Sequence, residues 1–175
     1  MRNKELFRRR RKAGRIVGLV LTLALAVSLL SGCGQSKERL TFGTGGTAGT
    51  YYSYGGVLAQ YITNNTNVKV TAVSTGGSKA NLQSVQDGDF QLGFVQSDVM
   101  AYAWDGVRAF EQDGATHDFR TLGGLYAETV QLFTMDPDIK TVEDLKGKSV
   151  SIGAANSGVY FNALDVLNAG GITLD

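Results

Sequence analysis

From Leu40 onward the apolar and polar positions fall into short alternating runs separated by stretches of small residues. Leu40-Thr41-Phe42 alternates with a period of two, and Val57-Leu58-Ala59-Gln60-Tyr61-Ile62 has helical spacing. Between them lies GTGGTAGTYYSYGG, Gly43 to Gly56, so the pattern predicts strand, glycine-rich loop, helix. The β-branched run Asn67 to Val73 predicts a second strand, ending in Ser74-Thr75-Gly76-Gly77-Ser78. A helix is expected from about Lys79 to Gln86, with Leu82 and Val85 inward, followed by a turn at Asp87-Gly88-Asp89. Phe90 to Val95 predicts a third strand, and Gln96-Ser97-Asp98 opens a helix over Val99 to Trp104 with Ser97 or Asp98 as its cap.

The remainder is less regular. Arg108 to Asp118 lacks periodicity and predicts a surface excursion; it holds the single histidine, His117, to which no role is assigned. Phe119 to Tyr126 and Thr129 to Met135 predict strands of the kind that cross between lobes. Thr141 to Gly147 predicts one helical turn capped by Thr141, and Lys148 to Ile152 a strand. Gly153 to Gly158 is a third small-residue loop, and Val159 to Leu167 a helix with Phe161, Leu164 and Leu167 on one face.

Strands alternating with helices predict an α/β fold with a parallel or mixed sheet. In such sheets ligands bind beyond the carboxyl ends of the strands. Three of the strand-to-helix joints, 43–50, 74–78 and 153–158, are rich in Gly, Ser and Thr, and a fourth is Gln96-Ser97-Asp98. Glycine allows close backbone approach, and the first turn of a helix offers unpaired N–H groups that favour an anion. Thr44, Thr47 and Thr50 add hydroxyls. The dinucleotide fingerprint does not fit, because Ala48 occupies the place of its third glycine and no acidic residue follows at the required distance. Gly147-Lys148-Ser149 lacks the upstream glycine of a phosphate-binding loop, since Val142 stands in its place, and no H-E-x-x-H or G-x-S-x-G occurs, which points to a binder and not an enzyme, with no cofactor.

Residues 1–32 stand apart from this pattern. Eight Lys/Arg between Arg2 and Arg15 precede an apolar stretch from Ile16 to Leu30, shorter than the roughly 20 residues of a membrane-spanning helix. This predicts a secretory signal peptide. Leu30-Ser31-Gly32-Cys33 matches the lipobox of bacterial lipoproteins, so the only cysteine is expected to be acylated, tethering the chain through residues 33–39 to the outer face of the cytoplasmic membrane. Removing the leader leaves nine basic and fifteen acidic residues, a net charge of −6 in place of the overall +1. That sign argues against nucleic acid as a partner.

Three stretches carry a family resemblance: GTGGTAGTYYSYGGVLAQYI, STGGSKANLQSVQDGDFQLGFVQSDVMAYAW and TVEDLKGKSVSIGAANSG. From about Leu40 to the C-terminus the chain resembles the TAXI family of solute receptors for TRAP transporters. The resemblance implies a type II periplasmic-binding-protein fold, with the first lobe over 40–128 and a crossing strand and incomplete second lobe over 129–175. It further implies a small organic acid or amino acid as ligand, glutamate-like, glutamine-like or a dicarboxylate, handed to the TRAP membrane subunits. Members are commonly longer, so the chain is expected to be truncated; an exported enzyme of the same fold, or a truncated remnant that binds nothing, are the alternatives. Ser53 stands where the family often has proline after the paired tyrosines.

On this reading backbone N–H groups around Gly46, Thr47 and Ala48 hold a carboxylate, assisted by the Thr44 or Thr47 hydroxyl. One of Tyr51 and Tyr52 reaches the cleft while the other packs. Ser74, Ser78 and Asn81 serve from the second joint, Gln96 and Asp98 from the next, and Asn156, Ser157 and Gly158 close from the second lobe. Asp98 is either a partner for a ligand amino group or a plain helix cap. Arg108 and Arg120 lie at no joint, so no arginine clamp on a carboxylate is expected.

Overall fold

A computed structural model describes residues 37–174 of the protein. The expected leader, the acylation site at Cys33 and most of the tether lie outside the described residues. The chain forms a three-stranded parallel sheet with helical crossovers, a mixed α/β architecture. β1 (Glu38–Gly43) is central, with β2 (Val68–Val73) on one side and β3 (Leu92–Gly93) on the other. β1 and β2 pair in parallel along their whole length, from Glu38 opposite Val68 to Gly43 opposite Val73. α1 (Thr50–Asn65) links β1 to β2, and α2 (Ser78–Gln86) links β2 to β3. α3 (Ser97–Asp105) follows β3, and α4 (Gly158–Ala169) lies near the end of the chain.

The alternation read from the sequence does its work in the first core. Phe42 and Val70 point to the same side and meet Ala59 of α1 and Phe94 just past β3. Leu40, Leu58, Ile62, Val68 and Ala72 pack around them. The Phe42 and Phe94 rings stand 4.6 Å apart at 59°, the tilted arrangement that aromatic quadrupoles favour. Gly55 lets α1 lie flat on this core, since a β-carbon there would fall 2.5 Å from the Thr44 methyl.

A second core gathers Leu82 of α2, Val99 and Ala103 of α3, and Phe110, with Phe161 of α4 against it. The expected surface excursion is therefore only partly one. A 3-10 turn at Arg108–Phe110 sends the Phe110 ring into full burial, and Thr116 N–H donates to the Ala103 carbonyl at 2.8 Å. A single apolar anchor has no period, which is why the pattern did not reveal it.

Several expected strands are not strands. β3 is two residues long instead of six, although Gln91 N–H and Phe94 N–H extend its bonding to the Thr41 and Gly43 carbonyls. Phe119 to Met135 and Lys148 to Ile152 have no ladder partner among the described residues, and Leu122, Phe133 and Met135 are strongly exposed. Alternation describes the faces of a strand; its backbone also needs a neighbour to receive its hydrogen bonds. At 141–147 the helical turn is a 3-10 turn, Glu143–Leu145, and the cap is reversed. The Asp144 carboxylate accepts from Lys140 N–H and from the Thr141 N–H and hydroxyl, and these donors hold it below the usual carboxylate range.

Candidate functional site

With strand order β2-β1-β3, the connections after β1 and after β3 depart from adjacent strands, and the crevice between them is where α/β sheets bind ligands. Helices α1, α2 and α3 all begin at this end of the sheet. Their N-cap residues, Gly49, Gly77 and Gln96, provide no side-chain cap. The first-turn N–H groups of these helices are thus left for other partners. At α2 one is taken, because Lys79 N–H donates to the Asn156 carbonyl at 3.0 Å. At α1 the flanking loop is open: Gly46, Thr47 and Ala48 are exposed, braced only by Gly49 N–H bonding back to the Gly46 carbonyl.

Thr44 and Asn81, both expected to face a ligand, are inside. Thr44 is fully buried, and its N–H and its hydroxyl both donate to the Val73 carbonyl, at 3.0 and 2.6 Å. Asn81, equally buried, donates from Nδ2 to the Thr44 carbonyl at 2.7 Å and the Phe94 carbonyl at 2.8 Å. The chain ends of β1 and β3 are thereby bolted together by one side-chain amide from α2. Ser74 donates to the Gly45 carbonyl at 2.9 Å and ties the second joint to the first.

Ser78, also buried, accepts from Gln96 N–H at 3.1 Å and fastens the second joint to the third. Above it lies Tyr51. Its ring packs 5.1 Å from Phe94 and its hydroxyl donates to Glu128 Oε2 at 3.1 Å. Burial first, and then the Glu128 charge, push the Tyr51 phenol far above its ordinary range, with Ser78 opposing. Of the paired tyrosines, Tyr51 is therefore the one built into the crevice, while Tyr52 stays exposed at 38 %.

The last loop meets the same place. Gln96 lies directly on Gly158: any β-carbon at 158 would overlap its amide, so only glycine admits this approach. Gly77, at φ +105, presses its backbone against Ser157 in the same way. Ser157 caps α4 by accepting from Tyr160 N–H at 3.1 Å. Asn156 takes the left-handed conformation, φ +68, that asparagine tolerates better than most side chains. Asp98 is not the cap of α3; it sits in the first turn and accepts from Asn162 Nδ2, while Gln96 Nε2 donates to Asn162 Oδ1 at 3.3 Å.

One turn further along, the Tyr102 hydroxyl donates to Asp165 Oδ2 at 2.5 Å, and Arg108 approaches the other oxygen at 3.6 Å. The bond to Asp165, followed by burial, pushes the Tyr102 phenol up to about 12. A raised pKa means that the folded state holds the proton more tightly. Its contribution is complete below the ordinary tyrosine value near 10 and is lost as pH climbs toward about 12. Alkaline titration over that window should loosen α4 from α3, read as faster amide exchange in α4. Tyr102→Phe should remove that step.

The structure thus brings Tyr51, Ser78, Gln96, Asn156, Ser157 and Gly158 together around the β1/β3 crevice and leaves Gly46 and Thr47 open on its rim. Glu128, Asn162 and Asp165 also belong to these networks and had no sequence signal. Two grooves, of about 420 and 370 Å³, lie to the side, one against Met100 and Trp104 and the other between Tyr102 and Tyr160. Compared with known protein families, residues 42–175 match the NMT1-like family, a span that takes in every joint described above.

Proposed function

The chain belongs to the NMT1-like family, a periplasmic-binding-like family, and from that premise we propose that it is an extracytoplasmic solute receptor and not an enzyme. The observation that carries this is the convergence of three helix starts without side-chain caps at the β1/β3 crevice of a parallel sheet. The crevice offers backbone N–H groups at the open Gly46–Ala48 stretch, a phenol at Tyr51 and an amide at Gln96. Such groups hold a small carboxylate by hydrogen bonding. The ligand is an organic acid or an amino acid, and the loaded receptor passes it to TRAP-type membrane subunits, as the resemblance of the glycine-rich and Asp87-Gly88-Asp89 stretches implies. Cys33, acylated after removal of the leader, holds the receptor at the outer face of the membrane.

Thermal denaturation of the full chain against amino acids and dicarboxylates tests the central claim. A ligand at a hundred times its dissociation constant should add about 2.7 kcal/mol of stability. The same ligand, recovered after long incubation, should be chemically unchanged. Turnover would replace the receptor with an enzyme, and absence of any shift across the panel would remove solute binding.

A further inference from the structure

Resting on the receptor reading above, we propose that Glu128 is a specificity-determining residue: held at the β1/β3 crevice by Tyr51, it accepts from a cationic nitrogen on the solute, so that an ammonium-bearing acid is preferred to the same acid without it. The argument starts from charge. The three ion pairs among the described residues, Lys79–Asp113, Arg108–Asp165 and Lys148–Asp136, leave Glu128 out. Its neighbours are phenols: Tyr51 donates to Oε2 at 3.1 Å and Tyr126 to Oε1 at 3.5 Å.

A carboxylate with four lone-pair sites and two neutral donors has acceptor capacity left over. It is exposed to water, yet Tyr51 fixes one end of it against a packed ring. The same phenol stands beside Ser78, which is bonded to Gln96 N–H, so Glu128 is tied to the joints themselves and not to a distant surface. Burial and the adjacent charge raise the Tyr51 pKa, so the phenol remains a donor to Glu128 throughout the physiological range.

Arg108, Arg120 and Lys79 are each engaged elsewhere. Arg108 is engaged with Asp165, and Arg120 donates to the His117 and Phe119 carbonyls. Lys79 is spent on Asp113 and the Ala109 carbonyl. A second carboxylate on the solute, brought beside Glu128, meets like charge without compensation; an ammonium there gains a charge-assisted hydrogen bond.

Matched pairs of solutes provide the test: L-glutamate and glutarate, L-aspartate and succinate, L-leucine and 4-methylpentanoate, each pair differing by one ammonium. Calorimetric titration of the full chain should show at least one amino acid bound about tenfold or more tightly than its deaminated partner, the scale of one charge-assisted hydrogen bond. Glu128→Gln, with its fold checked by circular dichroism, should reduce that ratio to near one while still binding the deaminated acid. Tyr51→Phe should weaken the preference in part, because it frees Glu128 without removing it. Deaminated acids binding as well as their partners would overturn the proposal and leave the receptor reading standing. An unchanged ratio in Glu128→Gln would also overturn it. Failure of every solute to bind would remove both.

Discussion

Replacing Asn81 with alanine is expected to destabilise the fold by about 2–3 kcal/mol, because it leaves the Phe94 carbonyl buried without its donor and weakens the bonding of the Thr44 carbonyl. The two losses are unequal. Thr44 O keeps a second partner in the Thr75 hydroxyl at 3.1 Å, whereas among the described residues Asn81 is the donor to Phe94 O. Both partners are carbonyl oxygens, which fixes the amide with its nitrogen toward them and its oxygen toward Gly43. That oxygen is buried without a partner, and a β-carbon on Gly43 would approach it to 2.5 Å. Asn81→Asp should therefore be worse than alanine, since it sets a carboxylate against the same carbonyls and removes the donor. Urea unfolding measures both, with a lower midpoint and an unchanged slope. A stable Asn81→Ala protein that has lost only solute affinity would show that Asn81 acts on the ligand and not on the joints.

Asn81 also marks where sequence reasoning reaches its limit. The sequence assigns it to the second joint, and the small-residue loops at 43–50, 74–78 and 153–158 do lie at strand-to-helix or loop-to-helix junctions. Those loops were legible because glycine and hydroxyl residues end an apolar period abruptly, and that is a local property. What Asn81 bonds to is set by strands 37 and 13 residues away in sequence, and no local pattern carries that information. Glu128 was missed for a similar reason: it stands in a run without structure of its own, and the contact that ties it to the crevice comes from Tyr51, 77 residues earlier. The strands expected at 119–135 failed differently. Their alternation is real, but a strand is defined by its neighbour, and within the described residues it has none.

Phe110→Ala is expected to have the largest effect of any single truncation, about 3–5 kcal/mol, because the ring is fully buried and is the apolar anchor of its 3-10 turn. The ring packs with Leu82, Val99 and Ala103, and Lys79 Nζ lies 5.2 Å from its centroid. The same lysine donates to the Ala109 carbonyl and pairs with Asp113 at 2.7 Å, so losing the ring also releases the segment that Lys79 straps down. Lys79 sits in the first turn of α2, where its own N–H holds the Asn156 carbonyl. The damage should therefore travel to the crevice from its α2 and α4 side, while the β1–α1 core around Phe42 and Ala59 stays protected. Hydrogen exchange should show this division directly, with α3 and α4 opening at lower free energy than β1. Phe110→Leu should recover about half of the loss by refilling most of the volume. A cost below about 1 kcal/mol for Phe110→Ala, or equal loss of protection in both cores, would mean that the second core does not hold the crevice in place, and the coupling between Phe110 and the solute site would have to be abandoned.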